Sequence, residues 1–286
     1  QMWDFEGKEG DEYAVKKLLS RFDRFFLEET LGEDVRLTIR GPNPDVESSD
    51  AKVLLEILES IPRSFDAAKL FYESYDREVV APIHEVIVPM VTDAEQIDLV
   101  HDWYTDSVAA KDNFVVSGKR TVAEWVGEFH PKKIGVIPLI EDRESLLGAD
   151  EILRGYAEGR DLESQRVFLA RSDPALNYGA LSADLINKVA LKRLYEAADD
   201  LDIELYPIFG AGSVPFRGNL SPHTVDATLE AYPEIQTFTA QSAFKYDYPA
   251  EDTTDGIETL RTATRDRSAP QIDEEQALEV LDRMND

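Results

Sequence analysis

Strand-like and helix-like segments alternate along the whole chain, and no Pro/Gly/Ser-rich linker divides them; this pattern limits the fold more than any other feature. KIGVIPLI (133–140) is a nearly continuous apolar run, as suits a strand buried on both faces. RVFLAR (166–171), DIELYPIF (202–209) and EIQTFTA (234–240) follow it at intervals of roughly 32–38 residues, and DVRLTIR (34–40) and HEVIVPM (84–90) precede it. Between them, helical periodicity predicts helices over 11–29, 50–75 (broken around Pro62), about 93–109, 143–158, 181–199, and from about 222 and 254, with a short acidic helix over 268–286. That rhythm implies one parallel α/β domain over 1–286. A doubly wound nucleotide-binding sheet is the main rival, but no G-x-G-x-x-G follows an early strand, and the GAG of 210–212 is succeeded by Pro215 and Arg217.

Composition removes other classes. The 286 residues carry 58 Asp+Glu against 30 Lys+Arg, a formal charge of −28, which repels phosphate backbones and argues against a nucleic-acid partner. With no cysteine, disulfides, thiolate metal sites and thiol nucleophiles are excluded, and a cytoplasmic setting is expected. No apolar run is long enough to predict a membrane span, and the N-terminus does not read as a signal peptide. At 43% hydrophobic residues the chain is too core-rich for disorder. Its acidity resembles that of proteins adapted to concentrated salt, where screening makes self-repulsion tolerable.

The strand ends carry the chemistry. In a β/α barrel, side chains at the carboxyl ends of several strands can aim at one point. Here those ends hold Arg40; Glu141 and Asp142; Arg171, Ser172 and Asp173; GAGSVPFRG (210–218) with Arg217; and Gln241, Ser242 and Lys245. Glu141 and Asp173 close neighbouring strands and could share one hard cation such as Mg²⁺ or Mn²⁺, although salt-bridged or capping acids would look the same. Arg40, Arg171 and Arg217 offer forked donors for phosphate or carboxylate, each also open to a structural ion pair, and Lys245 offers a point charge. Gly212 lies in a loop whose backbone N–H groups could approach an anion. Asp142 and Ser221 read as helix caps. The histidines, including His130 before Pro131 and His84 at a strand start, read as structural, and neither a H-E-x-x-H pair nor a nucleophile elbow is present.

WDFEGKE (3–9), PLIED (138–142), RSDPALNYG (171–179), GAGSVPFRG (210–218) and QSAFKYD (241–247), in this order, resemble archaeal-type phosphoenolpyruvate carboxylase over residues 1 to about 250. The resemblance implies a (β/α)8 TIM-type barrel, here truncated at both ends: the six strands read above are about six of the eight required, the first and eighth falling outside the fragment. It implies carboxylation of phosphoenolpyruvate by bicarbonate to oxaloacetate and phosphate, with Mg²⁺ or Mn²⁺ held by Glu141 and Asp173. Arg217 is then the leading phosphate-side residue. Arg171 and Lys245 join it as catalytic candidates, and Arg40, Gly212 and Gln241 as substrate-binding ones. A homotetramer is implied for the full-length protein, and inactivity for this fragment alone. The family's upstream TQHPDN-type motif is absent from the sequence given, and His130-Pro131 does not replace it. Another metal-dependent, enolate-forming barrel lyase and an inactive truncated paralogue are the alternatives.

Overall fold

The computed structural model describes residues 1–7 and 13–284. Lys8 of the first motif, the start of the 11–29 segment and the last two residues of the 268–286 segment lie outside them. The chain divides into two compact units, residues 1–89 with 95–137 and residues 90–94 with 138–286.

In the first unit, strands β1 (Met2–Glu6), β2 (Arg36–Arg40) and β3 (Ile83–Val88) pair in parallel, with Glu6 opposite Arg40 and Arg40 opposite Ile87. β1 was not expected from the sequence, because five residues with two acids give a weak strand signal. Two contacts hold it. Trp3 stacks on Phe25 at 6.3 Å and meets the edge of Phe26 at 6.2 Å, while Asp4 accepts a hydrogen bond from Arg40 on β2 at 2.6 Å. Phe26 is fully buried, a contribution of about 1.5–3 kcal/mol. The 11–29 segment forms two helices, Ala14–Arg21 and Asp23–Glu28, separated at Phe22, which leaves the helical region at φ −127°, ψ 40°.

Pro62 does not break its helix, which runs without interruption from Ala51 to Glu73. Leu58, Ile61 and Pro62 itself are buried, and the Ser60 and Ser64 hydroxyls donate to the Ile57 and Ser60 carbonyls, so packing overrides the local breaker. The irregular stretch around Lys119, Arg120 and Trp125 forms a small antiparallel hairpin, β4 (Val115–Val116) with β5 (Arg120–Thr121). It leads into helix Val122–Val126, started by a reciprocal cap between Thr121 and Glu124.

In the second unit, the last residues of β6 (Gly135–Ile140) pair in parallel with β7 (Ser164–Ala170), placing Ile140 opposite Leu169. β7 pairs along its whole length with β8 (Glu204–Gly210), from Ser164 opposite Glu204 to Ala170 opposite Gly210; β8 then pairs with the short β9 (Thr237–Phe238). Five of the six β6 residues are buried, as its apolar run required. The expected 143–158 helix is divided at Gly148 into Arg143–Leu147 and Ala149–Ala157. Helix Ala180–Leu201 buries Ile186, Val189, Leu191 and Leu194, and helix Glu274–Arg283 packs on it through Glu274. Among the described residues the parallel strands therefore number seven, where six were expected.

Candidate active site

Register decides what the second unit gathers. Because β6, β7, β8 and β9 run parallel and in step, the residues just past their carboxyl ends emerge from the same end of the sheet: Glu141, the 171–173 segment, the 210–218 loop, and Gln241 with the helix that follows it. Asp142 caps helix Arg143–Leu147, its Oδ1 accepting the Ser145 N–H at 3.0 Å, as expected. Ser221 is not a cap. It lies in the turn ahead of helix Val225–Ala231, its N–H donating to the Thr224 hydroxyl at 3.0 Å.

Asp173 occupies the first turn of helix Ser172–Tyr178 with an exposed side chain, and Glu141 is half-buried next to β6. Both are hard oxygen donors suited to Mg²⁺ or Mn²⁺. No group of three or more Asp, Glu or His able to hold a metal occurs among the described residues; a cation held by Glu141 and Asp173 would take its other ligands from water and substrate.

The 210–218 loop folds back tightly. The Gly212 N–H donates to the Arg217 carbonyl at 2.8 Å, and the Leu220 N–H donates to the Gly212 carbonyl at 3.0 Å. A side chain at Gly212 would meet Arg217 Cβ and Ser172 Oγ, each at 3.1 Å. Gly218 adopts φ +122°, and a Cβ there would lie 2.7 Å from Ala211 Cβ. The Ser172 hydroxyl lies within hydrogen-bonding distance of the Gly210 and Arg217 carbonyls, at 3.3 and 3.2 Å, and so ties the end of β7 to this loop. Arg217 ends the short 3-10 turn Pro215–Arg217, and its Nε is buried with no protein hydrogen-bond partner.

Arg171 is placed differently from the sequence expectation of an anion-binding residue. Its side chain is only 3% exposed. Nε donates to Asp184 at 2.7 Å and Nη1 to the Phe216 carbonyl at 2.7 Å. Gln241 precedes helix Ser242–Tyr246 without capping it, and Lys245 is exposed, its ammonium 5.0 Å from the Tyr246 ring. Arg40 belongs to the first unit, where it pairs with Asp4; burial raises the Asp4 carboxyl above its ordinary value despite the guanidinium beside it. Asp184 and Tyr232 carry no motif or spacing that marks them in the sequence; only the fold brings them to Arg171.

These features define an α/β protein built on parallel strands, with carboxylates and an Arg-bearing, Gly-rich loop at one end of the sheet. The family model for phosphoenolpyruvate carboxylase matches residues 1–286, and the chain belongs to that family. It is 64% identical to the phosphoenolpyruvate carboxylase of Halobacterium salinarum, the alignment covering 100% of this chain and 58% of that protein. The phosphoenolpyruvate carboxylase of Methanothermobacter thermautotrophicus is 49% identical over 98% of this chain and 57% of its own length. The chain thus spans somewhat over half the length of the curated relatives it matches. Among solved structures, the HpcH/HpaI aldolase from Desulfitobacterium hafniense DCB-2 aligns over 92% of this chain and 84% of its own at 16% identity, with a TM-score of 0.45, too distant a likeness to bear on the fold.

Proposed function

We propose that the full-length protein is a phosphoenolpyruvate carboxylase, joining phosphoenolpyruvate and bicarbonate to give oxaloacetate and inorganic phosphate. The observation that carries this reading is the match of the chain throughout its length to that family; it is supported by Glu141, Asp173 and the 210–218 loop each following the carboxyl end of one of the neighbouring parallel strands β6, β7 and β8. Bicarbonate attacks the phosphoryl group, forming carboxyphosphate and the enolate of pyruvate; carboxyphosphate releases phosphate and CO₂, and the enolate carbon attacks the CO₂. Glu141 and Asp173 would hold Mg²⁺ or Mn²⁺, which when bound supplies Lewis-acid stabilisation of charge developing on the enol oxygen. Arg217 would bind the transferring phosphoryl oxygens. A guanidinium serves well there, since it stays charged at every accessible pH and gives up no proton that would quench the enolate. Lys245 and Gln241 would extend the anion-binding edge. In this reading the whole protein closes an eight-stranded β/α barrel, assembles as a homotetramer and works in a salty cytoplasm.

The test is to assay the full-length gene product for oxaloacetate formation dependent on both phosphoenolpyruvate and bicarbonate, with and without a divalent-metal chelator. Oxaloacetate lost on omission of any one component supports the proposal. Pyruvate released without carboxylation would instead identify a lyase, and no turnover of phosphoenolpyruvate a non-catalytic relative.

A further inference from the structure

We propose that Arg171, Asp184 and Tyr232 form a positioning brace that holds the 210–218 loop and thereby sets the direction of the Arg217 guanidinium. The inference rests on the reading of Arg217 as the phosphate-binding residue.

The brace is built on Asp184 Oδ1, which accepts two hydrogen bonds, from Arg171 Nε at 2.7 Å and from the Tyr232 hydroxyl at 2.6 Å. Asp184 belongs to helix Ala180–Leu201, Arg171 follows β7, and Tyr232 ends the 225–231 helix, so one carboxylate joins three separate elements. The other arm of Arg171 reaches the Phe216 carbonyl, the peptide immediately before Arg217. A buried guanidinium whose Nε is neutralised from behind can thus grip the turn that carries the catalytic arginine. Its inward placement explains why a residue in a strand-end motif is not exposed to ligand.

Tyr232 is fixed in turn. Its ring lies 4.3 Å from the Phe209 ring and beneath the Lys188 ammonium at 4.4 Å, and Lys188 is anchored by the nearly buried Glu234 at 2.7 Å. Burial, and secondarily the Asp184 carboxylate, push the Tyr232 hydroxyl well above its ordinary value, so it remains a donor at any working pH. Asn187, fully buried one helical turn from Asp184, donates to the Ala170 carbonyl at 3.1 Å and locks the helix to the end of β7. The supports of the brace are regular elements, whereas Arg217 stands on a three-residue turn whose other ties, the Gly212 N–H and the Ser172 hydroxyl, act at the Arg217 carbonyl and not at the peptide before it.

The experiment uses the full-length protein and the variants Asp184→Asn, Tyr232→Phe and Arg217→Ala, with inorganic phosphate as the probe. Tyr232→Phe keeps the ring packing and removes only the hydroxyl, so it serves if Asp184→Asn does not fold. Amide exchange in the peptide spanning 210–218 is expected to rise about tenfold in both brace variants while exchange in helix 180–201 and in β8 is unchanged. The phosphate dissociation constant is expected to rise about tenfold in Asp184→Asn, with KM for phosphoenolpyruvate following it and kcat changing less; in the Arg217→Ala background Asp184→Asn should add nothing. Unchanged loop exchange in both variants, or a rise spread over the whole second unit, would overturn the brace. If Arg217→Ala leaves phosphate affinity intact while the brace variants still loosen the loop, the brace stands and the reading of Arg217 fails.

Discussion

Asp173 and Gly218 test opposite kinds of requirement, chemical in one and steric in the other. Asp173 is exposed on the first turn of its helix, so replacing its carboxylate by an amide removes the proposed metal ligand without disturbing the core. Asp173→Asn in the full-length protein is expected to abolish carboxylation while leaving the thermal midpoint unchanged; retained turnover would remove Asp173 from the metal site. Gly218→Ala puts a methyl group 2.7 Å from Ala211 Cβ at φ +122°, a combination expected to cost about 1–3 kcal/mol of stability in denaturant unfolding and to displace Arg217. Sequence alone pointed to the loop and to its arginine, because glycines around an isolated cation after a strand are a local signal. Residue type and position alone do not separate Arg171 from Arg217; only the family resemblance ranks Arg217 first. Both are arginines at strand ends, and the difference lies in Asp184, a partner thirteen positions away on the following helix.

Helix boundaries were misread wherever packing overruled a local signal, and strands were missed where the signal was short. Pro62 suggested a break, yet the buried face of helix Ala51–Glu73 carries it through, while Phe22 and Gly148 divide helices that periodicity alone would join. β1 was overlooked because its acids are compensated from a neighbouring strand, by Arg40 across the β1–β2 pair. The β6, β7 and β8 positions were legible because long apolar runs have few other uses. The same long-range compensation docks the last helix. Glu274 accepts from Arg193 Nε and Nη2 at 2.8 and 2.6 Å and from Lys192 at 3.0 Å. Burial by itself would raise its carboxyl, but Arg193 and Lys192 outweigh it and hold the group below the ordinary value of 4.5. A folded-state value below the unfolded one stabilises the protein above pH 4.5, and that contribution is lost as pH falls through the folded value. Glu274→Gln should therefore lower the denaturation midpoint at pH 7, with the gap to wild type closing as pH falls from 4.5 through the folded-state value. An equal gap at pH 7 and in acid would show that the ion pair is not what docks this helix.

The charge of the whole molecule makes a prediction about salt whose shape can be worked out. Spread evenly over 15167 Å² of accessible surface, 28 net negative charges would each occupy about 540 Å² and lie about 23 Å apart. The screening length is already about 10 Å at 0.1 M, so an even distribution would gain nearly all its stabilisation below that concentration. The acids are not even. Asp199, Asp200 and Asp202 crowd the carboxyl end of helix Ala180–Leu201, where the helix dipole is itself unfavourable to negative charge; Asp200 is paired with Arg154 at 2.6 Å. Repulsion at such close range is damped only when the screening length approaches about 3 Å, near 1 M. Salt also weakens exposed pairs such as Lys111 with Glu59, but these are worth about 0–1 kcal/mol each, while acids exceed basic residues by 28. Thermal midpoints are therefore expected to rise steeply up to about 0.1 M KCl and then more slowly into the molar range. Asp199→Asn with Asp202→Asn should flatten the second phase and leave the first; the amide at position 202 also tolerates its left-handed conformation, φ 56°. A midpoint that falls as KCl rises from low to molar concentration would sink the assignment of this acidity to a salt-rich environment. A second phase unaltered by the double substitution would instead locate the crowding elsewhere on the surface.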